Sequence, residues 1–179
     1  MQQASQELLE TLGQLLSYPR ADYAARADAA LAYAPATAAA CREHLEHFRA
    51  YVRATSAAEL EETYARTFDL SPVCVPYLSV HVFGEESFKR AQLMTGLADA
   101  YTRASLPSIE ELPDHLSVVL RRAGAFTPEE WQELVQYCLR EPLGKMCAAL
   151  TRAESPYAHV LGAVLALLQA PGGGGETNA

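Results

Sequence analysis

Apolar residues recur along most of this chain at three- and four-residue intervals, the period of a helix with one buried face. Leu8, Leu12, Leu15 and Leu16 begin the pattern, which stops at Tyr18-Pro19. An Ala-rich helix is predicted over about residues 21–33, ending before Pro35, and a third over about 37–54 with Leu45, Phe48 and Val52 on one face. Ser56 and Glu59 have capping-box spacing, in which hydroxyl and carboxylate satisfy amides that a helix start leaves open. That helix runs through Phe68, with Leu60, Tyr64 and Phe68 as its stripe. Further helices are predicted over about 85–104, from Leu116 to Ala123 with Gly124 closing it, from the Thr127–Glu130 capping box to Arg140, over 142–152, and after Ser155-Pro156.

One stretch breaks this grammar. Residues 69–87, DLSPVCVPYLSVHVFGEES, carry two prolines and a glycine, yet are too apolar for a solvated loop. Residues 77–83 fit a strand, but no partner strand is visible elsewhere, and a lone strand is not stable.

Composition sharpens the reading. Ala and Leu are in excess and β-branched residues are few, which favours helix over sheet. The expected fold is all-α, a single-domain bundle of about eight or nine short helices over 1–171, followed by a disordered Gly-rich tail, 172–179. The formal charge is −8, from 14 basic and 22 acidic residues. Lys and Arg are not gathered on one face, so nucleic acid is not an expected partner, whereas an acidic surface suits a basic one. Cys41, Cys74, Cys138 and Cys147 form no CxxC pair, which fits reduced thiols in the cytoplasm. The N-terminus lacks signal-peptide grammar. The apolar run 160–170 falls well short of the roughly 20 residues of a spanning helix, so the chain is not expected to span a membrane.

The chemically unusual stretch is ELPDHL, residues 111–116. Pro113 presets the backbone of a first helical residue, and Asp114 sets a carboxylate against open helix amides. The carboxylates of Glu110, Glu111 and Asp114 around His115 are expected to raise its basicity and to suit capture of a basic or hydrogen-bonding peptide. Adjacent helical residues diverge by about 100°, so Asp114 and His115 are not a catalytic pair. No nucleophile elbow or phosphate-binding loop appears. Cys41-x2-His44-x2-His47 is the nearest approach to metal-ligand spacing, but it needs a further ligand, such as His81, and an ordinary polar helix face is the expected reading. Neither a metal nor a cofactor is expected.

Three stretches, in order, carry a family resemblance: Glu62 to Asp69 (ETYARTFD), Leu78 to Met94 (LSVHVFGEESFKRAQLM) and Glu111 to Leu116 (ELPDHL). The chain resembles the nitrate reductase delta-subunit family, dedicated molybdenum-cofactor assembly chaperones within the wider group of all-helical chaperones for Tat-exported molybdoenzymes. The resemblance implies a non-enzymatic protein that binds the apo catalytic molybdenum subunit of nitrate reductase, notably its N-terminal segment, until cofactor insertion and membrane docking. The alternative within the group is a chaperone proofreading the leader peptide of an S- or N-oxide reductase. On this reading Glu111, Pro113, Asp114 and His115 form part of the client-binding surface, with Tyr64, Phe68, His81 and Phe83 lining or supporting it. Self-association is left open.

Overall fold

The computed structural model describes residues 3–69, 72–107 and 110–169, and the Gly-rich stretch 172–179 lies outside them. The leucines of the first helix, α1 (Gln3–Leu15), are buried, and α1 lies between α2 (Tyr23–Tyr33) and α7 (Leu116–Arg121). The most extensive helix pair is α3 (Ala39–Ala54) against α10 (Tyr157–Gln169). At its centre Tyr157, with no exposed surface, meets Phe48, Phe68 and Tyr64 at ring-centroid distances of 5.6, 5.0 and 6.0 Å. Aromatic edges packed this way add to the burial of Leu8, Leu12 and Leu45 around them.

Both predicted capping boxes are formed, Ser56–Glu59 at the start of α4 (Ala57–Phe68) and Thr127–Glu130 at the start of α8 (Pro128–Leu134). Helix α8 continues through a π turn, Val135–Leu139, into α9 (Arg140–Arg152). Pro142 explains the wide turn. Its ring would crowd the carbonyl four residues back, and it has no N–H to offer there.

Residues 77–83, with the period of a strand, instead contain a short helix, α5 (Leu78–Phe83), which packs on α6 (Phe88–Arg103) and α9. Helices α6 and α9 end in paired bonds, Ser105 N to Thr102 O with Leu106 N to Tyr101 O, and Glu154 N to Thr151 O with Ser155 N to Leu150 O. This cap needs a left-handed residue, usually glycine, and Ser105 (φ 55°) and Glu154 (φ 53°) fill the role. Gly124 does not close α7 in that way. It sits in a 3-10 turn, Ala123–Ala125, where an added Cβ would lie 2.0 Å from the side chain of Gln6. No helix among the described residues is long and apolar enough to cross a membrane.

Candidate functional site

The segment joining α6 to α7 meets the segment joining α4 to α5. Leu78 N donates to Asp114 O (3.0 Å) and Leu116 N to Pro76 O (2.9 Å), pairing Tyr77 with His115 in one antiparallel bridge. ELPDHL is therefore the partner that the apolar stretch lacked in sequence.

Asp114 is fully buried, and its role differs from the predicted one. Helix α7 begins at Leu116 with His115 as its N-cap, so Pro113 and Asp114 precede the helix. The Asp114 carboxylate caps α5 instead. Its Oδ2 accepts from Ser79 N (3.2 Å) and Ser79 Oγ (2.5 Å), in the first turn of a helix whose own N-cap, Tyr77, provides no side-chain bond. Arg90 extends the chain, donating from Nε to Ser79 Oγ (2.9 Å) and from Nη1 to Glu85 O (2.7 Å). Asp114 Oδ1 is buried without a hydrogen-bond partner.

His115 is only 5% exposed. Its Nδ1 accepts from Ser117 N (3.2 Å) and lies 2.7 Å from Ser117 Oγ, which leaves the proton of the neutral ring on Nε2. The carboxylates do not make the ring more basic, as the sequence suggests: burial lowers its pKa, against the opposing pull of Glu111, Asp114 and Asp69. Tyr77 packs edge-on against the ring at 5.3 Å. Asp114 and His115 thus belong to the scaffold beneath the surface, not to the surface itself, because each is consumed in capping a helix.

The exposed residues lie around them. Glu111 is exposed, accepts from Tyr77 Oη (3.2 Å), and also accepts from Leu112 N (2.9 Å). Tyr18, 46% exposed, donates to Glu61 Oε2 (3.0 Å) and packs edge-on against Tyr64 at 5.5 Å. Tyr64 is buried and its pKa is raised, first by burial, then by the nearby charges of Asp69 and Glu111. Glu61, Asp69 and Glu111 with Tyr18 and Tyr77 therefore edge one face above Tyr64. Pro113, held by Tyr101 Oη to its carbonyl (3.0 Å), borders a cavity of about 260 Å³ shared with Tyr101, Glu111, Leu106 and Arg122. The Arg122 guanidinium lies 4.8 Å from the Tyr101 ring centre and donates to Pro107 O.

Of the other predicted residues, Phe68 is core, against Tyr157. His81 is half-buried, its Nε2 2.7 Å from Val75 O, so that it braces the extended segment before α5. Phe83, also half-buried, ends α5. Sequence reasoning did not single out Tyr77, Ser79, Arg90 or Tyr101. The signal for Ser79 was its place three residues after Pro76, at the end of an extended run, where a helix start must find acceptors for its amides.

Cys41 is buried in the core, its thiol pushed up to about 11 by burial. His44 and His47 meet His159 of α10 rather than His81. Among the described residues no group of three or more His, Cys, Asp or Glu side chains is arranged to hold a metal ion.

Comparison with known proteins gives concordant matches. A family model described as nitrate reductase delta subunit matches residues 34–161. The "Nitrate reductase-like protein NarX" of Mycobacterium tuberculosis is 32% identical over 151 residues, 84% of this chain, and the chain spans 22% of that protein's length. The "Probable nitrate reductase molybdenum cofactor assembly chaperone NarJ" of Bacillus subtilis is 30% identical over 129 residues, covering 72% of this chain and 69% of its own length. A crystal structure from Archaeoglobus fulgidus, described as a candidate redox enzyme maturation protein, superposes with a TM-score of 0.65 at 22% identity over 95% of this chain and 97% of that one, a likeness of fold.

Proposed function

The chain belongs to the nitrate reductase delta subunit family, and from that membership we propose that it is a dedicated cytoplasmic chaperone of a respiratory nitrate reductase. It binds the apo catalytic molybdenum subunit by its N-terminal segment and keeps it competent for cofactor insertion and membrane docking. It performs no bond chemistry.

The observation that carries this reading is the rim of Glu61, Asp69 and Glu111 with Tyr18 and Tyr77, set on a scaffold tied together by Asp114 and His115. Carboxylates and tyrosines suit an amphipathic peptide that carries basic residues along one side, since the acids attract the cations and the rings cover its apolar part. Glu111 and Pro113 make contact. Asp114, His115, His81, Tyr64 and Phe68 hold those contacts in place, and Phe83 supports α5.

Titration with N-terminal peptides of candidate catalytic subunits tests the proposal. The nitrate reductase peptide binds, with affinity falling as salt rises. Glu111→Lys weakens it about tenfold at low salt, mostly through the association rate. Tighter binding of an S- or N-oxide reductase leader would transfer the client to that class. Indifference of every peptide to Glu111→Lys would remove this face as the site.

A further inference from the structure

Three imidazoles gather where α3 packs against α10. His44 Nδ1 lies 3.2 Å from His159 Nδ1, and the His47 ring stacks on His159 at 4.9 Å with 16° between planes. His44 and His159 are half-buried. Gly162 gives the His44 ring its seat, since a Cβ there would come within 2.5 Å of Nε2. A glycine inside a helix costs about 1 kcal/mol relative to alanine, so the close approach of ring and helix is held against a penalty.

A neutral imidazole with a lone pair facing another imidazole nitrogen is a ligand for a borderline Lewis acid. Two zinc–nitrogen bonds of about 2.0–2.1 Å at a tetrahedral angle place their nitrogens about 3.3 Å apart. The observed separation already matches, so each ring needs only to turn its lone pair off the line joining the nitrogens.

We propose that His44 and His159 form a two-histidine chelate, clamping α3 to α10, for a divalent transition cation of the Zn2+, Ni2+ or Cu2+ type. The cation takes the place of the proton shared between the two Nδ1 atoms. That proton moves through solvent to Nε2 of the same ring, so both rings stay neutral and water fills the remaining coordination positions. With two protein donors the site is open and of modest affinity, and it is a structural clamp independent of client binding.

The test is calorimetric titration of tag-free, chelator-treated protein with Ni2+, and separately with Zn2+. One site of micromolar dissociation constant is expected, and a hundredfold excess over that constant raises the melting temperature by about 5 °C. His44→Gln and His159→Gln each weaken binding at least tenfold, while His47→Gln, which removes only the stacked ring, changes it by less than about twofold. Imidazole nitrogen NMR on the wild-type protein decides independently of whether a variant folds. Saturating Zn2+ shifts the Nδ1 signals of His44 and His159 and leaves those of His81 and His115 in place. Binding undiminished in both glutamine variants, or static His44 and His159 signals at saturation, overturns the proposal.

Discussion

The α3–α10 core and the α5 junction are both buried, but they are held by different forces. Around Tyr157 most contacts are leucine and aromatic, non-directional, and spread over many neighbours, with one buried hydroxyl bond from Tyr23 Oη (3.2 Å) beside them. Around Asp114 they are directional: one carboxylate, one serine, one arginine and two backbone bonds place a six-residue helix that is too short to persist alone. A core of the first kind tolerates local change because the loss is shared. A junction of the second kind fails wherever one partner goes missing, because the others are left buried without bonds. The residues proposed to face a client sit over this second region, so their positions depend on polar bonds more than on the volume of the core.

Removing a ring from the first region has the largest expected effect. Phe48→Ala leaves a cavity in the aromatic cluster and costs about 3–5 kcal/mol, read as a loss of melting temperature for the whole domain. Asp114→Ala costs less in global melting, about 1–3 kcal/mol, because it leaves the Ser79 amide and hydroxyl unsatisfied without opening a large void. Its loss is local. Amide exchange over Leu78–Phe83 speeds up while α3 and α10 keep their protection. Equal loss of protection in all three helices would erase the distinction between the regions.

A smaller effect separates the two by pH. The folded His115 ring has a pKa below that of the unfolded chain, about 6.5, so the unfolded state takes up protons first as pH falls. Its stabilising contribution is complete above about pH 6.5 and declines as pH drops from there towards the folded value. His159 acts in the same direction through burial and neighbouring rings. His115→Asn, which can still cap α7, flattens the part of the stability–pH slope that belongs to the α5 junction, and His159→Gln flattens the part belonging to the core. Denaturant melts between pH 5 and 8 measure both, and an unchanged slope in His115→Asn would place its titration elsewhere.

The smallest change is a gain outside both regions. Ser105→Gly and Glu154→Gly relieve left-handed backbone at two helix ends, and each raises stability by about 1 kcal/mol without touching client binding.

The helices were largely legible in sequence because their information is local. Apolar spacing marked Leu8 to Leu16, and serine or threonine followed by glutamate marked the two capping boxes. Short-range pattern misled at three places. Gly124 reads as a helix stop yet makes room for Gln6, residues 77–83 have the period of a strand yet contain α5, and Pro113-Asp114 reads as a helix start yet lies before one. The candidate site was legible as a segment, while the division of its residues into contact and support was not.

From the order of residues alone followed an all-helical chain, its capped helix starts, its acidic balance and the three stretches that carry the family likeness. Each of these is written within a few turns of chain or in the total of charges. Only the folded arrangement decided that Asp114 serves a helix 35 residues upstream, that His115 is capped away beneath Tyr77, and that His44 meets His159 across two helices. A side chain's bonding partner is set by which segments the core brings together, and burial then turns a polar residue from a contact into a support.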